Sequence, residues 1–144
     1  MCCIFCKIVQ KQSEAAILYE DDEVIAFLDI MPVNEGHCLV IPKTHHKLVE
    51  EMNEKTYLKM FSVGRSLLVK IKETLPETTA FNYLLADGKD AGQEIFHVHL
   101  HIIPRKPNDG FGFKFGPNYG KKLSLEEKTR IAAKILSYPS SYPV

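Results

Sequence analysis

Three of the chain's six histidines stand at alternate positions in His97-Val98-His99-Leu100-His101-Ile102-Ile103-Pro104. Alternation is the period of a β-strand, whose successive side chains point to opposite faces. A strand is therefore expected over Ile95–Ile103, stopped by Pro104, with Val98, Leu100 and Ile102 toward a core and three imidazoles on the other face. Neutral imidazole, with a reference pKa of about 6.5, is both a nucleophile near neutral pH and a proton shuttle. Its attack on a phosphoryl centre gives a cationic phosphohistidine that water can cleave. Metal binding by the whole row is a poor alternative. Same-face neighbours on a strand lie roughly 6.6 Å apart, and the outer pair about 13 Å, whereas a metal wants each nitrogen at about 2.0–2.1 Å. At most two of the three can share an ion. Just upstream, Gly92-Gln93 offers backbone N–H groups and a neutral carboxamide, a phosphate cradle without strong positive charge.

The elements that must position these groups are short. Ile17–Tyr19 and Val24–Leu28 read as strands joined by the acidic turn Glu20-Asp21-Asp22, and His37–Ile41 as a strand ended by Pro42. Asn53 is a fair N-cap for a helix from Glu54 to Leu75, closed by Pro76. Its apolar line runs Tyr57, Phe61, Gly64, Leu68, Ile71, Leu75, widened by Leu58, Met60 and Leu67. Phe81–Ala86 is a strand expected to pair antiparallel with the histidine strand. Residues 105–122 read as a long loop, and a helix runs from Ser124 to about Leu136, with a capping box between Ser124 and Glu127. Residues 1–12 hold a short apolar segment with Cys3 and Cys6 in C-x-x-C spacing, suited to metal ligation or plain packing. Strands and helices without βαβ alternation favour an α+β class with a mainly antiparallel sheet.

At 144 residues the chain is expected to be one domain, its core at about 3–113 and a C-terminal helix and tail at 124–144. Eighteen basic and eighteen acidic residues leave no net charge, which argues against bulk attraction to nucleic acid or an anionic membrane. No apolar run reaches the ~20 residues of a membrane span. Four cysteines, three of them crowded at the N-terminus, do not make a disulfide framework, and a reducing cytoplasm is the expected location.

Gly92-Gln93, Phe96 and the histidine row together resemble the histidine-triad family of nucleotide-binding proteins, nearest its nucleoside phosphoramidase branch. Phe5-Cys6-Lys7-Ile8, Tyr19-Glu20-Asp21-Asp22, Ala26-Phe27-Leu28-Asp29-Ile30 and Gly36-His37-Cys38-Leu39-Val40-Ile41-Pro42-Lys43 stand in the family's order. The resemblance implies an α+β homodimer, paired through the long helix and a strand, that binds purine nucleotides such as AMP. It implies that His99 attacks the α-phosphate to form a nucleotidyl-histidine resolved by water. His101 would contact the phosphate and assist the leaving group, and His97 would support the arrangement. Asp29 would bond the ribose hydroxyls, Phe5, Ile8, Phe27 and Ile30 would form the base slot, and Gly92 and Gln93 would meet the phosphates. A carboxylate between apolar walls does suit a ribose diol.

The resemblance also implies a structural zinc held by Cys3, Cys6, His45 and His97, with His46 the neighbouring rival of His45. Four protein ligands would close its shell; free thiols packed in a small core are the alternative. Cys38, alternating with core residues, is expected to be buried and Cys2 to be a bystander, while His37 is left unassigned between a place near the nucleotide phosphates and a strand-end residue. The chain departs from the pattern at Ala86, where many relatives carry asparagine, and at Glu94, where the phosphoramidase branch carries a hydroxyl residue. Hydrolysis of a nucleoside phosphoramidate or related AMP conjugate is the expected function. Dinucleoside polyphosphate hydrolysis is its nearest variant, and a zinc-stabilised nucleotide-binding adaptor with vestigial catalysis is the reading from another class.

Overall fold

A computed structural model describes residues 3–139, so Cys2 and the end of the tail lie outside the described residues. The chain divides between Phe111 and Gly112 into two compact units. In the first, α1 (Ile4–Val9) precedes β1 (Ile17–Glu20), β2 (Val24–Leu28) and β3 (Cys38–Pro42). Then come α2 (Glu54–Thr74), β4 (Ala80–Leu84) and β5 (Leu100–Arg105). The strands form one antiparallel sheet in the order β1-β2-β3-β5-β4. This is the expected α+β class. In the second unit α3 (Leu125–Leu136) starts at Ser124 with the expected capping box: the Glu127 N–H donates to Ser124 Oγ and the Ser124 N–H to the Glu127 carboxylate. Phe115 and Tyr119 stack ahead of it. Among the described residues no helix is long and apolar enough to cross a membrane.

The central strands are buried on both faces, which is why Val24–Phe27 and Cys38–Pro42 read as unbroken apolar runs. Val24, Ala26, Cys38, Val40, Val98, Leu100 and Ile102 pack with α2 in one cluster. Ile25, Phe27, Leu39 and Ile41 point the other way and meet Phe5 and Ile8 of α1. Helix α2 begins where expected, the Asn53 side chain accepting the Thr56 N–H at 2.8 Å. Its buried line is Thr56, Met60, Val63, Gly64, Leu67 and Ile71, so the stripe is rotated from the expected one. Tyr57, Phe61 and Leu68 lie on its flank, half-buried, and Leu58 is exposed.

Gly64 lets α2 approach the sheet closely. A Cβ there would stand 2.9 Å from Ile102 Cδ1 and 3.2 Å from the Tyr83 ring. Ile102 is fully buried and has little room to yield. Alanine would gain about 1 kcal/mol in helix propensity, against about 1–3 kcal/mol for overpacking. Gly64→Ala is thus expected to lose about 1 kcal/mol in urea unfolding; a stabilised variant would place the helix farther from the sheet.

The histidine strand is shorter and later than its sequence period implies. It begins at Leu100 rather than Ile95 and runs through Pro104 to Arg105. Ahead of it the backbone is drawn aside: the His97 N–H bonds Ile95 O and the Val98 N–H bonds His46 O. Alternation survives without the ladder, since Val98 still packs toward α2. Pro104 is tolerated because β3 pairs with β5 only as far as Ile102. Beyond that point β4 is the sole neighbour, Phe81 opposite Pro104, so the missing N–H leaves no partner unsatisfied. Its carbonyl accepts from Asn34 Nδ2 at 2.9 Å. Strand β4 ends at Leu84 rather than Ala86, and β3 begins at Cys38 and includes Pro42. The N-terminal apolar segment is the helix α1.

Candidate active site and metal centre

The three histidines of the row have three different environments. His99, 6% exposed, lines a cleft of about 540 Å³ with Phe5, Ile8, Phe27, Asp29, Ile30, Gly92, Glu94 and His101. Its Nδ1–H donates to the carbonyl of His97 at 2.7 Å. A carbonyl can only accept, so Nδ1 carries the proton and Nε2 keeps the free lone pair. The Phe5 ring stands edge-on to His99 at 5.3 Å and to Phe27 at 5.7 Å, walling the cleft with apolar surface. Ile30 lines the cleft yet is 92% exposed, so it is a lip and not a buried slot.

His101 takes its tautomer from His37, which the sequence leaves unassigned. The backbone N–H of Val33 donates to His37 Nδ1 at 3.1 Å. That leaves the proton of neutral His37 on Nε2, which lies 2.9 Å from His101 Nδ1 and donates to it. His101 must then carry its own proton on Nε2. One backbone amide thus sets two rings and leaves His101 a hydrogen-bond donor beside the lone pair of His99, whose ring centroid is 4.9 Å away. The loop supplying that amide is anchored by Asn34, whose side chain bonds Pro104 O and Asp109, and Asp109 in turn pairs with Arg105. Only the spacing Gly36-His37 at the start of β3, opposite the histidine strand, could have hinted at it.

Asp29 sits beside this pair, its Oδ1 accepting the Met31 N–H and its Oδ2 3.6 Å from His37 Nε2 and 3.7 Å from His101 Nδ1. Gln93 is placed differently from its expected role. Its side chain accepts the Gly88 N–H and donates to Lys47 O, both at 2.8 Å, so it braces the loop below the cleft. Gly92, in the left-handed region at φ 86°, is the part of the pair that lines the cleft. Ala86 is buried and does not line it.

Burial pushes His101 down to about 4, helped by the nearby His99 and His37 rings and opposed by Asp29. Burial lowers His37 as well, again against Asp29. Both rings are therefore neutral at pH 7. An unfolded histidine titrates near 6.5. Between about pH 6.5 and 4 the unfolded chain therefore binds more protons, and stability falls as the pH falls through that window. The contribution is fully present above the window, at most about 3 kcal/mol for His101. Urea unfolding at pH 7 and pH 4.5 is expected to show the loss, and His101→Gln to reduce it; an unchanged slope in the variant would assign the loss elsewhere.

His97 does not reach the cleft. It is fully buried, and its Nε2–H donates to Pro42 O at 2.8 Å, leaving the Nδ1 lone pair free. That lone pair lies 3.7 Å from both Cys3 Sγ and Cys6 Sγ, and Cys6 Sγ is 3.2 Å from His45 Nδ1. Cys3 is the N-cap of α1 and Cys6 stands in its first turn, so both cysteines lie at the start of that helix. Burial holds His97 at about 4, with the Pro42 bond opposing, so the ring is neutral as a ligand must be. A tetrahedral zinc with bonds of about 2.3 Å to sulfur and about 2.0 Å to nitrogen has edges of roughly 3.3–3.8 Å. The two 3.7 Å sulfur–nitrogen separations at His97 match such an edge, the 3.2 Å between Cys6 and His45 is slightly short of one, and all four ligand atoms lie within 4.8 Å of one another. The Pro42 carbonyl on the far nitrogen is the usual support for such a ligand. His45, not His46, faces the set; His46 instead lends its backbone carbonyl to Val98.

Asp29, His37 and His101 also gather three potential ligand atoms within 4.8 Å. Their hydrogen bonding argues against a metal. To ligate through Nε2, neutral His37 would need its proton on Nδ1, facing the Val33 N–H donor to donor. Cys38 is buried among apolar residues, its thiol pushed up to about 12 by that burial.

With this geometry in hand, comparison with known proteins is specific. A family model described as HIT domain matches residues 10–108. An adenosine 5'-monophosphoramidase of Schizosaccharomyces pombe is 38% identical, over 95% of this chain and 98% of its own. The crystal structure of a HIT family member from Bacillus subtilis superposes with a TM-score of 0.88 at 37% identity, covering 99% of this chain and 100% of that one. A Zn-bound histidine triad family protein from Mycobacterium smegmatis gives a TM-score of 0.72 at 35% identity, covering 94% and 93%.

Proposed function

This chain belongs to the HIT family, and from that premise we propose that it hydrolyses purine nucleoside phosphoramidates or related conjugates to release AMP through a nucleotidyl-His99 intermediate. The observation that carries the reading is the pairing of opposite tautomers in one cleft: a lone pair on His99 Nε2 and an N–H on His101 Nε2. The nucleophile needs the first and the departing group the second. The Nε2–P bond forms as the bond from phosphorus to the leaving nitrogen breaks. A proton drawn from solvent reaches that nitrogen along the His101 Nε2–H edge, and the amine leaves neutral. Water then cleaves the Nε2–P bond, releasing AMP and one proton and restoring His99. Asp29 is suited to the ribose hydroxyls, Phe5, Ile8 and Phe27 to the base, and Gly92 to the close approach of a phosphate.

Zinc is the ion proposed for Cys3, Cys6, His45 and His97, on the strength of their spacing, their tautomers and the zinc in the Mycobacterium smegmatis neighbour. When bound, it supplies cross-linking and not chemistry, because four protein ligands leave no open position. A homodimer is proposed through α2 and β4. Strand β4 is a sheet edge, and Tyr57, Phe61 and Tyr83 form a half-covered aromatic strip beside it. A cytoplasmic setting suits cysteines that form no disulfide among the described residues. The function is tested by incubating the protein with an AMP-amine phosphoramidate and mapping the adenylylated residue by mass spectrometry. Modification at His99 with release of AMP is expected. AMP binding without turnover would leave only the adaptor reading.

A further inference from the structure

The cleft that would hold an anionic nucleotide has no basic lining. Its charged residues are Glu14, Asp29 and Glu94, and among the described residues no lysine or arginine lines it. Glu94 enters the cleft on the segment Gly92–His101, which also carries His99 and His101. That segment is braced just before Glu94 by the buried Gln93 amide, so its backbone is held in place. Among the described residues the Glu94 carboxylate has neither a hydrogen bond nor an ion pair to compete for it.

An unpaired carboxylate lining the same cleft as His99 and His101 discriminates by charge. A leaving group that is a phosphate chain or another anion meets repulsion with no cation in the cleft to offset it. A leaving amine that carries a second, protonated amino group meets attraction. We infer that Glu94 selects AMP conjugates whose leaving group bears an ammonium beyond the scissile bond, such as a diamine or an amine-bearing side chain, over conjugates with anionic leaving groups. This rests on the hydrolysis proposed above and sharpens its substrate class. Because Glu94 is exposed, solvent screens the effect, and a preference of about fivefold to tenfold in kcat/KM is expected.

The test uses three AMP phosphoramidates of similar length, made from 1,4-diaminobutane, butylamine and 4-aminobutyrate. Wild-type kcat/KM should fall in that order, and the spread should shrink as salt is raised. In Glu94→Gln, an isosteric change at an exposed position, the ratios should collapse to within about twofold. Equal rates for all three in the wild type, or an order that persists in Glu94→Gln, overturns the inference while leaving the hydrolase reading intact. If no conjugate is cleaved, the hydrolase reading fails instead. The order of Kd for the same three compounds, measured by calorimetry on wild type and Glu94→Gln, then decides the role of Glu94 by the same criterion.

Discussion

His99→Ala is expected to lower hydrolysis of an AMP phosphoramidate by about ten-thousandfold or more, as removal of a covalent nucleophile does. AMP affinity should change by less than about threefold, since the base and ribose contacts proposed for Phe5, Ile8, Phe27 and Asp29 are untouched. The variant also loses the edge-on contact of Phe5 with the imidazole, so a modest drop in unfolding temperature accompanies it. The informative comparison is with His101→Ala. That variant removes a donor and not the nucleophile, so adenylylated His99 should still be detectable while turnover falls. Residual turnover in His99→Ala within tenfold of wild type would mean that the tautomer pair is structural.

Cys6→Ser is expected to abolish stoichiometric zinc and to lower the unfolding temperature by about 10 °C or more. Structural zinc contributes about 10–16 kcal/mol of apparent binding energy in small domains. Here the fold has its own core, so a loss of several kcal/mol is the reasonable share, at about 2–4 °C per kcal/mol for a chain of this size. The physical reason for a large effect is connectivity. Cys3 and Cys6 lie 94 and 91 residues from His97 in the sequence, and the ion would tie α1 to the segment carrying the nucleophile. Elemental analysis and a thermal scan check both halves. Wild-type protein that takes up no stoichiometric zinc when the ion is supplied, and an unfolding temperature that Cys6→Ser leaves unchanged, would support two packed thiols and refute a zinc centre.

Much of this architecture was legible in one dimension because it is set by local rules. The period of two in Val98, Leu100 and Ile102 does mark a buried face, and Asn53 and Ser124 do cap helices where hydrogen-bonding geometry requires. The C-x-x-C spacing and alternate histidines pointed to the residues that the structure gathers into the cleft and the Cys/His cluster. Other features depended on partners far along the chain. The stripe of α2 turned because Gly64 alone lets the helix seat on Ile102, so Met60 and Val63 face inward. The histidine row lost its ladder ahead of Leu100, where His46 claims the Val98 N–H.

The division of labour among the three histidines was settled by tertiary structure. Each ring is assigned by what bonds its second nitrogen: Pro42 O for His97, the His97 carbonyl for His99, and His37, itself held by the Val33 N–H, for His101. Residue type and spacing determined that three imidazoles would line one side of a strand. Which nitrogen keeps its lone pair is decided for His97 by a backbone carbonyl 55 residues away and for His101 by a histidine ring 64 residues away, and only His99 takes its tautomer from within the row, from the carbonyl two residues back.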